Sequence, residues 1–228
     1  PETRSKEEVI RRYDHEVQGG SVVKPLVGVA SDGPSDATVL VPIDARLAAG
    51  TASGRRGVAL AVGINPAYGL IDPYAMAWAT VDEAVRNLVA VGADPDTVAL
   101  LDNFCWGSPT LPDRLGSLVR CTLGCHDAAV AFGAPYISGK DSLNNEYTDR
   151  DGTRRAIPGT LLISALGLVL NVDRTVTMDL KQPGDLLVLI GASGGELGGS
   201  AYWRRRALLG ASTPRPAQQG QAIARALH

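Results

Sequence analysis

Two long stretches of helical periodicity, each closed by a glycine, alternate with short apolar runs, and this alternation most restricts what the chain can become. The longer is "DPYAMAWATVDEAVRNLVAVGAD". Asp72 is placed as an N-cap, Pro73 suits the first helical position, and Gly92 is a natural stop. Met76, Val81, Ala84, Val85 and Leu88 form its core stripe. The second helix runs from about Leu115 to Phe132 and stops at Gly133. "RRGVALAVGIN" before the first helix, "TVALLD" between the two and "TLLISALGLVL" beyond them read as strands, and "TVALLD" leads into an irregular loop, "NFCWGSPTLPD". Strands alternating with long helices predict an α/β chain.

The flanks read less regularly. Ser5 with Glu8 is a capping-box pattern, and Val9, Ile10, Tyr13 and Val17 share a stripe that "QGG" ends. "SVVKPLVGVA" is extended, with Pro25 pointing to an edge or lead-in strand, and "SDGPSDATVLVPI" is a turn followed by a strand. Downstream, "NVDRTVTMDLKQPGD" is a polar connection that marks a domain boundary. "LLVLIG", "ASGGELGGS" and "AYWRRRALLG" then read as a strand, a glycine loop and a helix, too little to close a core of their own.

Length and charge bound the function. With 228 residues the chain can bury a full core, and its net charge of −2 supplies no basic field for nucleic acid or an anionic membrane. An anionic ligand must therefore be held locally. No run approaches the roughly 18 apolar residues of a membrane span. Three cysteines and no secretory signal predict a reducing cytoplasm. A start on Pro1 and an end on "AIARALH" suggest a piece of a longer protein.

The candidate chemistry is spread along the chain. Glu83 and Asn87 lie four apart on one helix face, flanked by Asp82 and Arg86. They are either a solvated face with an Asp82–Arg86 pair or oxygen donors for Mg²⁺, with Asp36 of "GPSDATVL" as a third. Asp102 ends "TVALLD", where a polar residue faces a ligand or caps a turn. In "YISGKDSLNNEY", Gly139 permits close approach, Lys140 offers a cation and Ser142 a hydroxyl, so the run is a solvated turn or a phosphate contact. "GASGGELGGS" has the context for anion binding at a helix start, but it lacks both the dinucleotide fingerprint and a G-K-[ST]. Cys121 and Cys125 with His126 suit a helix core better than zinc. His15 in "YDHEV" is a switch, a ligand contact or polar surface.

Taken in order, "YDHEVQGG", "GPSDATVL", "DEAVRNLVAVGADP", "LLDNFCWGSP", "SGKDSLNNE" and "GELGGS" resemble the second half of phosphoribosylformylglycinamidine synthase, the large amidotransferase subunit of purine biosynthesis. The resemblance covers nearly the whole chain. It implies the superfamily of aminoimidazole ribonucleotide synthase and an α/β (α+β), PurM-like fold: an N-terminal subdomain with a mixed sheet and long helices, plus the start of a PurM-like C-terminal subdomain. The implied division is a linker helix and lead-in strand over 1–24, an ATP-binding N-terminal subdomain of the second repeat over 25–172, and a partial C-terminal subdomain over 173–228.

Carried over by position, the resemblance implies Mg²⁺ ligands at Asp36, Glu83 and Asn87 beside an auxiliary nucleotide, with Ser35 an adjacent nucleotide contact. It implies ATP contacts at Asp102, Gly139 and Lys140 and a substrate contact at Ser142. Lys140 falls where the short form of the family has a metal-binding Asn, and an ammonium cannot ligate a cation, so it would meet phosphate directly. The cofactors are then ATP and Mg²⁺. The partners are the first half of the synthase, which carries the general-base histidine, a glutaminase subunit or domain supplying ammonia, a ribonucleotide substrate, and a second copy in a homodimer of the fragment. The reaction implied is ATP-dependent amidation of formylglycinamide ribonucleotide, with this piece inactive alone. The rivals are another ATP-using enzyme of the superfamily and a non-catalytic nucleotide-binding or scaffold module on the same fold.

Overall fold

The structure is a computed structural model that describes residues 4–12, 16–42, 55–192, 194–215 and 219–228. Tyr13 and His15 lie outside the described residues.

Six strands form one sheet: β1 (Ser21–Val23), β4 (Thr38–Leu40), β5 (Gly57–Ile64), β10 (Thr160–Val169), β6 (Ala99–Cys105) and β7 (Tyr136–Ser142), in that spatial order. All neighbours are antiparallel except β6 and β7, which run parallel. A parallel pair needs a long crossover, and the second long helix (Pro112–Phe132) supplies it. Two small ladders stand apart: β2 (Leu26–Val27) with β3 (Gly33–Pro34), and β8 (Glu146–Thr148) with β9 (Arg154–Ala156).

Both long helices cover one face of the sheet. The first (Pro73–Ala90) starts as its sequence dictates, with the Asp72 carboxylate accepting the Tyr74 N–H at 2.9 Å and Pro73 next in line. Its Met76, Val81, Ala84, Val85 and Leu88 are fully or almost fully buried against alternate residues of β5 and β10. Gly63 of β5 makes this packing close: a Cβ there would collide with the Thr80 carbonyl oxygen and come within 3.0 Å of the Ala84 nitrogen. Gly124 does the same between the two helices, where a Cβ would lie 2.6 Å from the Tyr74 carbonyl oxygen. The second helix ends at Gly133 in the left-handed region (φ 64°).

Among the described residues no long helix covers the other face of the sheet. Leu60, Val62 and Ile64 of β5 and Leu168 of β10 project there, each between 39% and 50% exposed. The C-terminal helix (Gly220–Leu227) adds to the covered side, with Ala224 buried among core residues and Gly220 against the Phe132 ring.

Four local readings of the sequence need correction. The opening helix is a single turn, Glu7–Ile10. The Ser5 hydroxyl accepts the Glu7 N–H, but Glu8 pairs with Arg12 instead of returning to complete a capping box. "TVALLD" does not end at Asp102, because β10 and β7 supply ladder partners that carry β6 on to Cys105. "LLVLIG" makes no strand: Leu186–Leu189 are at least 77% exposed and find no ladder partner among the described residues. The helix in "AYWRRRALLG" is only Ala201–Arg204. Among the described residues no helix is long and apolar enough to cross a membrane.

Candidate functional site

The polar run "SGKDS" is not a loop. It is the second half of β7, an edge strand whose register against β6 sets Gly139 opposite Asp102, Lys140 opposite Asn103 and Ser142 opposite Cys105. Side chains in a strand alternate in direction, so the run divides between two faces. Gly139 and Asp102 share the helix-covered side, and a Cβ on Gly139 would stand only 3.0 Å from the Asp102 carboxyl carbon. A side chain on Gly139 would therefore displace the Asp102 carboxylate. Burial, then the neighbouring Asp141 carboxylate, raise the pKa of Asp102, while the Lys140 backbone N–H lowers it. Lys140 and Ser142 turn to the open side, where the ammonium donates to the Ser142 hydroxyl.

Glu83 and Asn87 serve a different strand. β4 pairs β5 no further along than Thr38 opposite Leu60, so among the described residues the following stretch of β5 has no strand on that side. Glu83 Oε2 accepts the Ile64 N–H at 2.8 Å, and Asn87 Nδ2 donates to the Val62 carbonyl at 3.1 Å. Two side chains thus complete this edge, and among the described residues Glu83 Oε1 and Asn87 Oδ1 make no hydrogen bond. Desolvation pushes the Glu83 carboxyl up, opposed by the Ile64 bond and assisted by Asp82. Asp82 itself pairs with Arg86 at 2.8 Å, so the solvated-pair reading holds for these two and not for Glu83 and Asn87. The cleft at this edge, of about 370 Å³, also includes Tyr68, whose hydroxyl pKa is raised by burial and by Glu83.

Asp36 lies with Ser35 in a neighbouring cavity of about 510 Å³ on the open face, bordered by Leu60, Val62, Leu101 and Ser164. Val62 joins the two sites: its side chain borders the Asp36 cavity and its carbonyl is held by Asn87. The Ser35 hydroxyl donates to the Ala37 carbonyl at 2.8 Å. β10 and β6 separate this region from β7, so the candidate residues form two groups rather than one.

Other candidates resolve differently. Cys121 and Cys125 are buried; their mutual hydrogen bond first, then burial, push the Cys121 thiol up. His126 is exposed and turns to Asp127. Among the described residues no group of three or more His, Cys, Asp or Glu is arranged to hold a metal. In "GELGGS", the Gly198 and Gly199 amides already bond the Ser212 and Leu209 carbonyls, and the following helix is one turn. Two residues were missed in the sequence, Asp141 and Tyr68. Strand alternation within "GKD" could have placed Asp141 on the Asp102 face; nothing local marks Tyr68.

A mixed sheet covered on one face by two long helices defines an α/β domain, with Asp102, Lys140 and Glu83 placed on or beside its strands. The chain belongs to the family of AIR synthase related proteins, whose N-terminal domain matches residues 34–169. It is similar to the phosphoribosylformylglycinamidine synthase subunit PurL of Thermococcus sibiricus, with 38% identity over 204 residues, covering 90% of this chain and 25% of that protein. Among solved structures, Thermotoga maritima PurL complexed with ATP superposes with a TM-score of 0.54 at 26% identity, over 75% of this chain and 24% of that one. The same PurL complexed with FGAR gives 0.53 at 28% identity, over 74% and 23%. The chain spans about a quarter of the length of the curated relatives it matches.

Proposed function

We propose that this chain is part of the second half of a phosphoribosylformylglycinamidine synthase and forms one wall of its ATP and substrate sites. The observation that supports it best is the parallel register of β6 and β7, which brings Asp102 beside Gly139 and displays Lys140 and Ser142 together. These are the positions the family resemblance marks. In the reaction, the substrate amide oxygen takes the terminal phosphoryl group of ATP, and ammonia then displaces phosphate to leave the amidine.

Each residue has a task within that reading. Gly139 lets backbone and nucleotide approach closely, and Asp102 accepts from ligand donors or faces a cation. Lys140 meets phosphate by a charge-assisted bond, and Ser142 holds the ribonucleotide. On the other edge, the free oxygens of Glu83 and Asn87 are hard donors that suit Mg²⁺, with Asp36 and Ser35 across Val62 completing an auxiliary nucleotide site. Mg²⁺ there would neutralise phosphate charge.

The open apolar face of β5 and β10 is the surface the first half of the synthase would cover, or a second copy in the isolated fragment. A glutaminase partner supplies ammonia, and the cytoplasm is the compartment. The test is amidine formation from ATP, formylglycinamide ribonucleotide and ammonia. The purified 228-residue chain should show no turnover, the full-length protein should turn over, and Asp102→Asn in that protein should abolish most of it. Turnover by the chain alone, or an unaffected Asp102→Asn enzyme, would refute the reading.

A further inference from the structure

We propose that Glu146 is a positioning residue for the β6–β7 site, an inference that rests on the function proposed above. Its carboxylate is 3% exposed and is the meeting point of three chain segments. Oε1 accepts the Ser108 backbone N–H at 2.8 Å and pairs with Arg114, in the first turn of the second long helix. Oε2 pairs with Arg154, the first residue of β9. A second nitrogen of Arg154 donates to the Asn144 side-chain oxygen at 2.8 Å, which draws in the segment just after Ser142. A buried carboxylate is tolerated only with such partners, and the arginines in turn have no equivalent acceptor if it is neutralised.

The clamp lies directly beyond the site. Past the last ladder pair of β6 and β7, the Trp106 N–H donates to the Ser142 carbonyl at 2.8 Å, and the Asn145 N–H donates to the Trp106 carbonyl at 2.9 Å. Asn145 Nδ2 also donates to the Ser142 carbonyl at 2.8 Å, and Ile157 ties Asn145 to the chain leaving β9. The Ser142 carbonyl is therefore gripped from both sides, while its hydroxyl receives Lys140. Ser108 fixes the strand leaving Asp102, Asn144 and Glu146 fix the strand leaving Ser142, and one carboxylate holds both. Glu146 touches no expected ligand, so it acts through Ser142 and Lys140.

The experiment is steady-state kinetics of the full-length protein carrying Glu146→Gln, Glu146→Asp, Arg154→Gln or Ser142→Ala, with thermal unfolding measured alongside. Glu146→Gln should raise KM for the ribonucleotide on the order of 10-fold, because displacement of a positioning element by a fraction of an ångström is felt at the reacting groups. Glu146→Asp keeps the charge but is one methylene short, and should recover part of that loss. Arg154, 61% exposed, can be changed with less risk to folding, and Arg154→Gln should shift KM in the same direction by a smaller factor. It decides the matter if Glu146→Gln does not fold. A lowered melting temperature with unchanged KM in the Glu146 and Arg154 variants would make the clamp merely structural and overturn the positioning role. Ser142→Ala with unchanged KM would instead remove the site reading on which the inference rests; a raised KM there beside silent Glu146 and Arg154 variants would overturn the positioning role alone.

Discussion

Gly63→Ala is the most direct probe of how the fold sets up the site on β5. A methyl at this position meets backbone, the Thr80 carbonyl and the Ala84 amide, and neither can rotate away. The first long helix must retreat from β5 by on the order of 1 Å to restore ordinary contact. Overpacking of this kind costs about 1–3 kcal/mol. The retreat also strains the two bonds one turn further on, Glu83 to Ile64 and Asn87 to Val62, each worth about 0.5–1.5 kcal/mol. Replacing a strand glycine by alanine returns about 0.5–1 kcal/mol through the unfolded chain. The net expectation is a loss of roughly 2–4 kcal/mol. Urea unfolding of the chain followed by tryptophan fluorescence would measure it, because Trp78 and Trp106 are both buried. The midpoint should fall with little change in slope. A loss under about 0.5 kcal/mol would mean that helix and strand are not in close contact at Gly63.

Other outcomes follow from the same geometry. Asp102 is a carboxyl whose pKa rises on folding, so its contribution to stability is best below its unfolded pKa and is lost as pH rises through the folded one. Asp102→Asn should therefore unfold at the same or a higher temperature than the parent at pH 7, an advantage that shrinks towards pH 4; a less stable variant at pH 7 would contradict this. Under the proposed function, Lys140→Ala in the full-length protein should weaken ATP or phosphorylated-intermediate handling by about 1.5–3 kcal/mol, read from kcat/KM, with melting temperature nearly unchanged. Under the proposed function, Val62→Glu places a charge on the open sheet face and should impair association with the first half of the synthase, measured by co-purification of the two halves.

Much of the architecture was legible because its causes are local. Asp72–Pro73 and the Met76–Leu88 stripe mark the first helix, Gly133 ends the second, and alternation in "GVALAVGI" marks β5. The errors arose where a neighbour decides. "LLVLIG" has every property of a strand except a partner, and "NFC" lacks strand character but has partners on both sides. The site divides in the same way. The i, i+4 spacing places Glu83 and Asn87 on one face, but that the face meets a strand edge depends on β4 pairing β5 no further along than Leu60, which no local pattern encodes. Glu146 closes the run "SGKDSLNNE", but nothing local marks the role proposed for it, which lies in Ser108, Arg114 and Arg154 arriving from three separate segments.

The division of β7 between two faces bears on how the proposed site is completed. Asp102 and Gly139 face the side that carries the helices, Asp102 half-buried and Gly139 exposed at the sheet edge. Lys140 and Ser142 face the open side, the same side as Leu60, Val62 and Leu168. An ammonium and a hydroxyl bordering an uncovered apolar sheet cannot keep water from a reacting phosphoryl group, and their contacts are weakened by solvent. Whatever covers the sheet would dry the surroundings of Lys140 and Ser142 while burying Leu60 and Val62. In the proposed function, then, assembly and ligand binding draw on the same surface, and the apolar face contributes to catalysis through exclusion of water as well as through association.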